Sequence, residues 1–216
     1  VGTILNTVEL FSGTQSFSKV CKEHGHITYC IDNNKEFRND YTTNILELKT
    51  LSFRGEIDIL WASPPCTAFS VASIGKHWDK ETRKPKTEEA LLGLKLVEHT
   101  IKLIVTNKPK IWFIENPRGM LRTVIDDLFK KHGLNNVIRH TVTYCQYGDN
   151  RMKPTDIWTN FKSWKPKLPC KNGSPCHVSA PRGSRTGTQG IKGNILRGVI
   201  PPQIFKEILE CLFNEI

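Results

Sequence analysis

Several familiar chemistries are missing from this 216-residue chain. No apolar run approaches the roughly 18–20 residues that span a bilayer, no signal-peptide pattern opens the sequence, and no internal repeat is visible. It has neither a G-x-G-x-x-G fingerprint nor a lysine-bearing phosphate loop, so a ligand held by its phosphates is not expected. The seven cysteines (21, 30, 66, 145, 170, 176, 211) are odd in number and mostly scattered. That pattern excludes the paired framework of a small secreted protein and favours a reducing interior. No histidine stands in a motif that would make it an evident base for a cysteine, which argues against a thiol protease. Residues 161–194 lack acidic side chains altogether.

What is present is a basic, folded, mostly single-domain chain. Hydrophobic content of 38% and charged content of 24% are ordinary for a folded soluble protein, and the length allows one well-buried core. Thirty-one Lys and Arg against twenty-one Asp and Glu leave +10, which points to a nucleic-acid partner.

Apolar strands alternate with helical stretches along the chain. Strands are expected at residues 7–10, 26–31, 57–62, 111–114, 136–144 and 155–159. Helices are expected from Phe17 to about residue 25, across about 33–41, from Thr87 to Pro109, near 122–131 and in the C-terminal stretch that begins near Ile204. Thr87 can cap the third of these, with Leu91, Leu94, Val97, Ile101 and Ile104 on its apolar face. The alternation implies an α/β fold, a mostly parallel sheet with helices on both faces. Residues 75–86 read as a mobile polar loop. Residues 161–194 interleave seven Lys and Arg with Pro, Gly and Ser and read as a basic loop or very small subdomain. The chain therefore divides into 1–160, 161–194 and 195–216, the last packing back on the first.

Three strand ends deliver reactive or polar groups to one edge of such a sheet, which is where ligands collect in open α/β folds. The first is Phe11-Ser12-Gly13-Thr14. The second is Ser63-Pro64-Pro65-Cys66, where two prolines hold a cysteine on a stiff turn. The third is Glu115-Asn116-Pro117-Arg118-Gly119. Asp32 ends the second strand, where a carboxylate can bridge ribose hydroxyls or simply serve a turn. Glu115 follows the apolar IWFI, so burial should raise its pKa and make it a proton donor, unless it caps a helix or pairs with Arg118. Cys66 is either a small buried hydrophobe or a nucleophile. A cysteine facing such a carboxyl suits attack on an electron-poor ring.

The set ELFSGTQSFS, SPPCTAFS, IWFIENPRG, YGDNRMKPTDIW and GVIPP resembles the DNA cytosine carbon-5 methyltransferase family in its compact, orphan, bacteriophage-like form. The resemblance covers nearly the whole chain and implies a Rossmann-like fold that uses S-adenosyl-L-methionine. It assigns the cofactor site to Phe11, Ser12, Gly13, Thr14, Gln15, Ser16, Asp32, Asn33, Asn44, Ile45, Pro65, Val199 and Ile200. Cys66 would attack carbon 6 of a flipped cytosine, with Pro65 positioning it and Glu115, beside Asn116, at ring nitrogen 3 and the amino group. Arg151 is the first candidate for the cytosine carbonyl and Lys153 the second. Ser70, Lys76, His77, Arg83, Lys84, Arg182 and Arg185 would meet duplex DNA, with residues 161–194 as a minimal target-recognition region. The same chemistry on transfer RNA and a silent DNA-binding module are the alternatives. A monomer in the cytoplasm of a bacterial or phage-infected cell, without membrane contact, is expected. The chain departs from the family in writing ENP for ENV, Arg151-Met152-Lys153 for an arginine pair, and Gly198 for an asparagine. Cys170, Cys176 and His177 invite a zinc site, but C-x5-C-H is not a standard finger and no fourth ligand is evident, so no metal is assigned.

Overall fold

The computed structural model describes residues 3–179 and 193–214. Among these, seven strands form one sheet: β1 (Asn6–Leu10), β2 (Ile27–Asp32), β3 (Tyr41–Thr42), β4 (Ile59–Ala62), β5 (Ile111–Pro117), β6 (Ile138–Thr143) and β7 (Pro154–Thr159). The order across the sheet is β3-β2-β1-β4-β5-β7-β6. The first five strands in chain order run parallel, and β7 is antiparallel to both β5 and β6. At the centre of the sheet β4 (ILWA) and the IWFI start of β5 are continuously apolar, as burial on both faces requires.

The register fixes the site. Leu10 lies opposite both Ile31 and Ala62, and Ala62 lies opposite Ile114. The next residues along these strands, Phe11, Asp32, Ser63 and Glu115, therefore emerge level at one edge. The chain leaves β1 toward β2 and β3 on one side and resumes with β4 and β5 on the other, so this edge is a topological switch point.

Two apolar layers sandwich the sheet. Helices α1 (Ser16–Glu23) and α6 (Pro202–Phe213) cover one face, where Phe17, Trp61, Phe113, Phe205 and Ile208 are buried. The Trp61 and Phe205 rings meet edge-on with centroids 4.8 Å apart, a favoured aromatic geometry. Helices α3 (Glu88–Asn107) and α4 (Leu121–Lys131) cover the other face with Val97, Ile101, Ile125 and Phe129 over Leu60, Trp112 and Ile114. Two short helices, α2 (Ile74–His77) and α5 (Asn194–Gly198), complete the set.

Four expectations need correction. The helix across residues 33–41 does not form: the Asn34 side chain accepts from Glu36 N–H at 2.9 Å, and such local bonding competes with helix. Tyr41–Thr42 instead adds the edge strand. Strand β5 does not stop at Ile114, because antiparallel β7 carries the ladder on through Glu115, Asn116 and Pro117. On α3, Thr87 caps as expected, accepting from Ala90 N–H at 3.3 Å, but Leu91 is 47% exposed. The helix approaches through Gly93, where an added Cβ would lie 3.0 Å from the Phe69 ring. Finally, residues 75–86 are not a featureless loop. Trp78 is fully buried and donates Nε1–H to the Ala68 carbonyl at 2.7 Å, while Trp78 and Pro85 form an antiparallel bridge.

Candidate active site

The β1 end of the edge is a tight, strained loop. Phe11 (φ 57°) and Gln15 (φ 58°) both sit in the left-handed region that bulky residues avoid, a kind of strain that clusters at functional sites. Asp32 secures the loop: one carboxylate oxygen accepts from Gly13 N–H at 2.9 Å and the other from Asn34 N–H at 2.8 Å. Ser12 donates N–H to the Ile31 carbonyl at 3.1 Å, and Thr14 and Ser16 hydroxyls meet at 3.1 Å. Ser16 also accepts from Ile200 N–H at 3.2 Å, which brings the Val199-Ile200 stretch to the loop. Asn44 spends its Oδ1 on Leu46 N–H at 3.1 Å, capping a 3-10 turn that buries Ile45, while Asn33 is exposed.

Beneath this loop lies Glu9, which sequence reasoning missed. It is buried and accepts from Phe17 N–H at 3.2 Å and Ser18 N–H at 2.9 Å, two otherwise orphaned donors at the start of α1. Burial pushes its carboxyl pKa up to about 7, although Ser18 and Phe17 pull the other way. A carboxylate inside the apolar strand TVEL was the available signal.

At the β4 and β5 ends, half-buried Cys66 and exposed Pro65 sit on a turn whose Cys66 carbonyl accepts from Phe69 and Ser70 N–H, both at 3.0 Å. Asn116 is fully buried and donates Nδ2–H to the Pro64 carbonyl at 2.9 Å. It is thus a positioning residue that binds the end of β5 to the cysteine turn. Its Oδ1 has no hydrogen-bond partner among the described residues. Gly119 tightens the same junction: it bridges Ser70, and an added Cβ would fall 2.1 Å from the Phe69 carbonyl oxygen.

Glu115 is buried and accepts from the Tyr144 hydroxyl at 3.1 Å; Arg118 is not its partner. Burial raises its pKa, opposed by the charge of Lys153 and by the Tyr144 and Ser63 hydroxyls. Burial also raises the Cys66 thiol, and negative Glu115 adds to this, while Lys153 and Arg197 lower it. Lys153 lies 4.7 Å over the Tyr144 ring and donates to the Arg197 carbonyl at 2.8 Å. Its own pKa is lowered by burial despite Glu115 and Cys66, and its backbone φ of 28° is strained. Lys153 therefore provides the cation shared by the thiol and the carboxyl.

Arg151, the first candidate for that place, is turned elsewhere. Its guanidinium is buried against Asp149 and donates to the carbonyls of Leu196 (3.2 Å), Arg197 (3.3 Å) and Val199 (3.0 Å). It anchors the α5 segment instead. His77 is likewise buried, with Nδ1 2.7 Å from the Thr87 hydroxyl, and so is removed from any nucleic-acid surface. Lys76, Arg83 and Lys84 are exposed on the same segment, and Ser70 is half-buried with its hydroxyl 2.9 Å from that of Ser73. Arg182 and Arg185 lie outside the described residues. The fourth donor missing beside Cys170, Cys176 and His177 is supplied by Cys145, 25 residues upstream of Cys170.

The strand order, the antiparallel β7 and the lined carboxyl edge define a Rossmann-like fold, a mostly parallel sheet with helices on both faces. Solved structures agree on the fold. A protein assigned as a prophage-encoded DNA modification methyltransferase from E. coli aligns at TM-score 0.52 and 16% identity, over 72% of this chain and 46% of that one. The Entamoeba histolytica methyltransferase EhMeth aligns at TM-score 0.52 and 17% identity, over 77% and 56%. The chain thus spans about half the length of these solved structures. At the sequence level, residues 5–137 match the family model of the C-5 cytosine-specific DNA methylases. A Frog virus 3 (isolate Goorha) protein named "Probable DNA (cytosine-5)-methyltransferase" is 30% identical over 95% of this chain and 99% of its own length. The chain belongs to the C-5 cytosine-specific DNA methylase family and is a methyltransferase enzyme.

Proposed function

We propose that the chain methylates carbon 5 of cytosine in duplex DNA, with S-adenosyl-L-methionine as donor and a covalent adduct on Cys66. The observation that carries this is the junction of Cys66 and Glu115, locked through the Asn116–Pro64 hydrogen bond and flanked by Lys153. The β1–β3 end fits the cofactor by its chemistry. Phe11 offers an aromatic platform, Asp32 a half-buried carboxylate with acceptor capacity left for a ribose, and Ile45 an apolar wall, with no phosphate-binding group among them. The buried Asn116 Oδ1 is an acceptor that a ligand donor at this edge would satisfy. The cofactor supplies an electrophilic methyl group.

The protein's residues supply the rest. The Cys66 thiolate, favoured by Lys153 and Arg197, adds its electron pair to ring carbon 6, while the Glu115 carboxyl gives its proton to ring nitrogen 3. Carbon 5 then carries the nucleophilic electron density and takes the methyl. Solvent water then takes the proton from carbon 5, the ring nitrogen 3 proton returns to the Glu115 carboxylate, and the ring double bond re-forms as the Cys66 thiolate is expelled. Burial raises the Glu115 pKa and so favours its protonated form, which suits the donor role.

The target must leave its stack, at a cost of a few kcal/mol that protein–DNA contacts offset. Exposed Lys76, Arg83 and Lys84 on the segment following Cys66 are suited to backbone contact, and residues 161–194 are the proposed recognition region. The full-length relative named as a DNA methyltransferase supports DNA over RNA. Transfer of labelled methyl to duplex DNA and to transfer RNA, with wild type and Cys66→Ser, tests the reading. DNA labelling that falls at least about 10³-fold in the variant is expected. Labelling of RNA alone, or an unaffected variant, would overturn it.

A further inference from the structure

Residues 165–179 follow Trp164, a buried aromatic near the start of the basic region, and include no buried residue. Leu168 is 86% exposed and Val178 59%, and the stretch forms neither helix nor strand. A segment of this kind has no apolar area with which to offset the entropy of ordering, so something else must hold it. The turn after β6 and this segment meet at four donor atoms.

Those atoms are the sulfurs of Cys145, Cys170 and Cys176 and Nδ1 of His177, all within 4.8 Å of one another. Cys145 and Cys176 sulfurs are 3.6 Å apart, and His177 Nδ1 lies 3.6 Å from both Cys170 and Cys176. A tetrahedral Zn²⁺ with sulfur at about 2.3 Å and nitrogen at about 2.0 Å spaces its ligands about 3.5–3.8 Å apart. A fourth pair, Cys145 and Cys170 at 3.1 Å, is far longer than a disulfide, whose sulfurs are about 2.0 Å apart. Three sulfurs and one imidazole form a soft, closed set that suits Zn²⁺.

The surroundings suit it as well. Gln146 donates Nε2–H to the Cys176 sulfur at 3.4 Å, and Cys170 N–H is fixed on the Thr143 hydroxyl at 3.0 Å. Lys167 ties the segment to the same turn and to α6: its ammonium donates to the Gln146 carbonyl at 3.2 Å and pairs with Glu207 at 2.9 Å. We propose that Cys145, Cys170, Cys176 and His177 bind one Zn²⁺, which staples the start of the basic region to the turn after β6. The staple reaches the catalytic edge through one peptide bond, since Tyr144, the donor to Glu115, precedes Cys145.

Metal content of the whole protein tests this without reference to methyl transfer, so its failure and that of the proposed activity are separable. Wild type purified in reductant is expected to carry about one zinc per chain. Cobalt in its place should give the absorption of a tetrahedral thiolate site. Cys145→Ser and Cys176→Ser should lose zinc at least about tenfold, whereas Cys66→Ser should retain it. Cys176→His, which keeps a ligand, should hold metal with a shifted cobalt spectrum and guards against a folding artefact. Wild type that neither contains zinc nor takes up cobalt, or that carries a Cys145–Cys170 disulfide by mass spectrometry in reductant, would overturn the proposal.

Discussion

Two carboxyls, Glu9 and Glu115, are buried in neighbouring regions of one sheet, and burial raises both pKa values, yet their surroundings give them opposite work. Glu9 is enclosed by Phe17 and Ser18 N–H at the start of α1 and closes a structural gap. Glu115 has a hydroxyl and an ammonium for neighbours and shares that ammonium with a thiol at the open edge. Desolvation alone thus does not make a catalytic acid; the partners that respond to its proton do.

The sharpest way to break the comparison is Glu115→Gln. It removes the proton donor but keeps the shape, and methyl transfer should fall about 10²–10⁴-fold with the fold intact. Wild-type activity should rise with pH as Cys66 ionises and fall as Glu115 does; a pH–rate profile of the Gln variant should lack the falling limb. Retention of that limb would detach Glu115 from the chemistry.

Glu9→Gln should act on stability instead. With a folded pKa near 7 against an ordinary 4.5, the native state holds a proton that the unfolded chain has released. Stability conferred through Glu9 is therefore full below about 4.5, declines as pH rises toward 7, and is lost above it, by about 3 kcal/mol in total. Denaturant midpoints between pH 4.5 and 8 should show this decline in wild type and a flatter profile in the variant. An unchanged slope would reassign the shift.

The smallest expected effect is at the junction that separates the two regions. Gly119→Ala should cost about 1–3 kcal/mol and lower activity, because its Cβ must displace the Phe69 carbonyl behind the cysteine turn. Gly75→Ala, where nothing lies within 4 Å, is the matched control in a thermal melt.

Much of this was legible in the sequence, for physical reasons that can be named. A strand buried on both faces writes a continuous apolar run, so β4 and the IWFI start of β5 could be read directly, while β1 and β2 showed as apolar-rich stretches with polar residues among them. Side-chain direction could not. Arg151 and Lys153 are two residues apart and chemically alike, and only the carbonyls of Leu196, Arg197 and Val199 decide that Arg151 turns toward α5. His77 is embedded in a basic stretch, yet a contact to Thr87 ten residues away buries it. Cys145 looked like one scattered cysteine because its partners lie beyond β7. The three asparagines of the 33–41 stretch, Asn33, Asn34 and Asn39, carried a signal against helix.

The hydrogen bond from Asn116 to the Pro64 carbonyl and the seat of Gly119 on Phe69 make the cysteine turn and the end of β5 one rigid body. In the proposed mechanism, nucleophile and acid are therefore aligned once, when the chain folds, and not anew at each turnover. Of the freedom that must be surrendered before reaction, the enzyme's share has been given up beforehand, and what remains belongs to the incoming base.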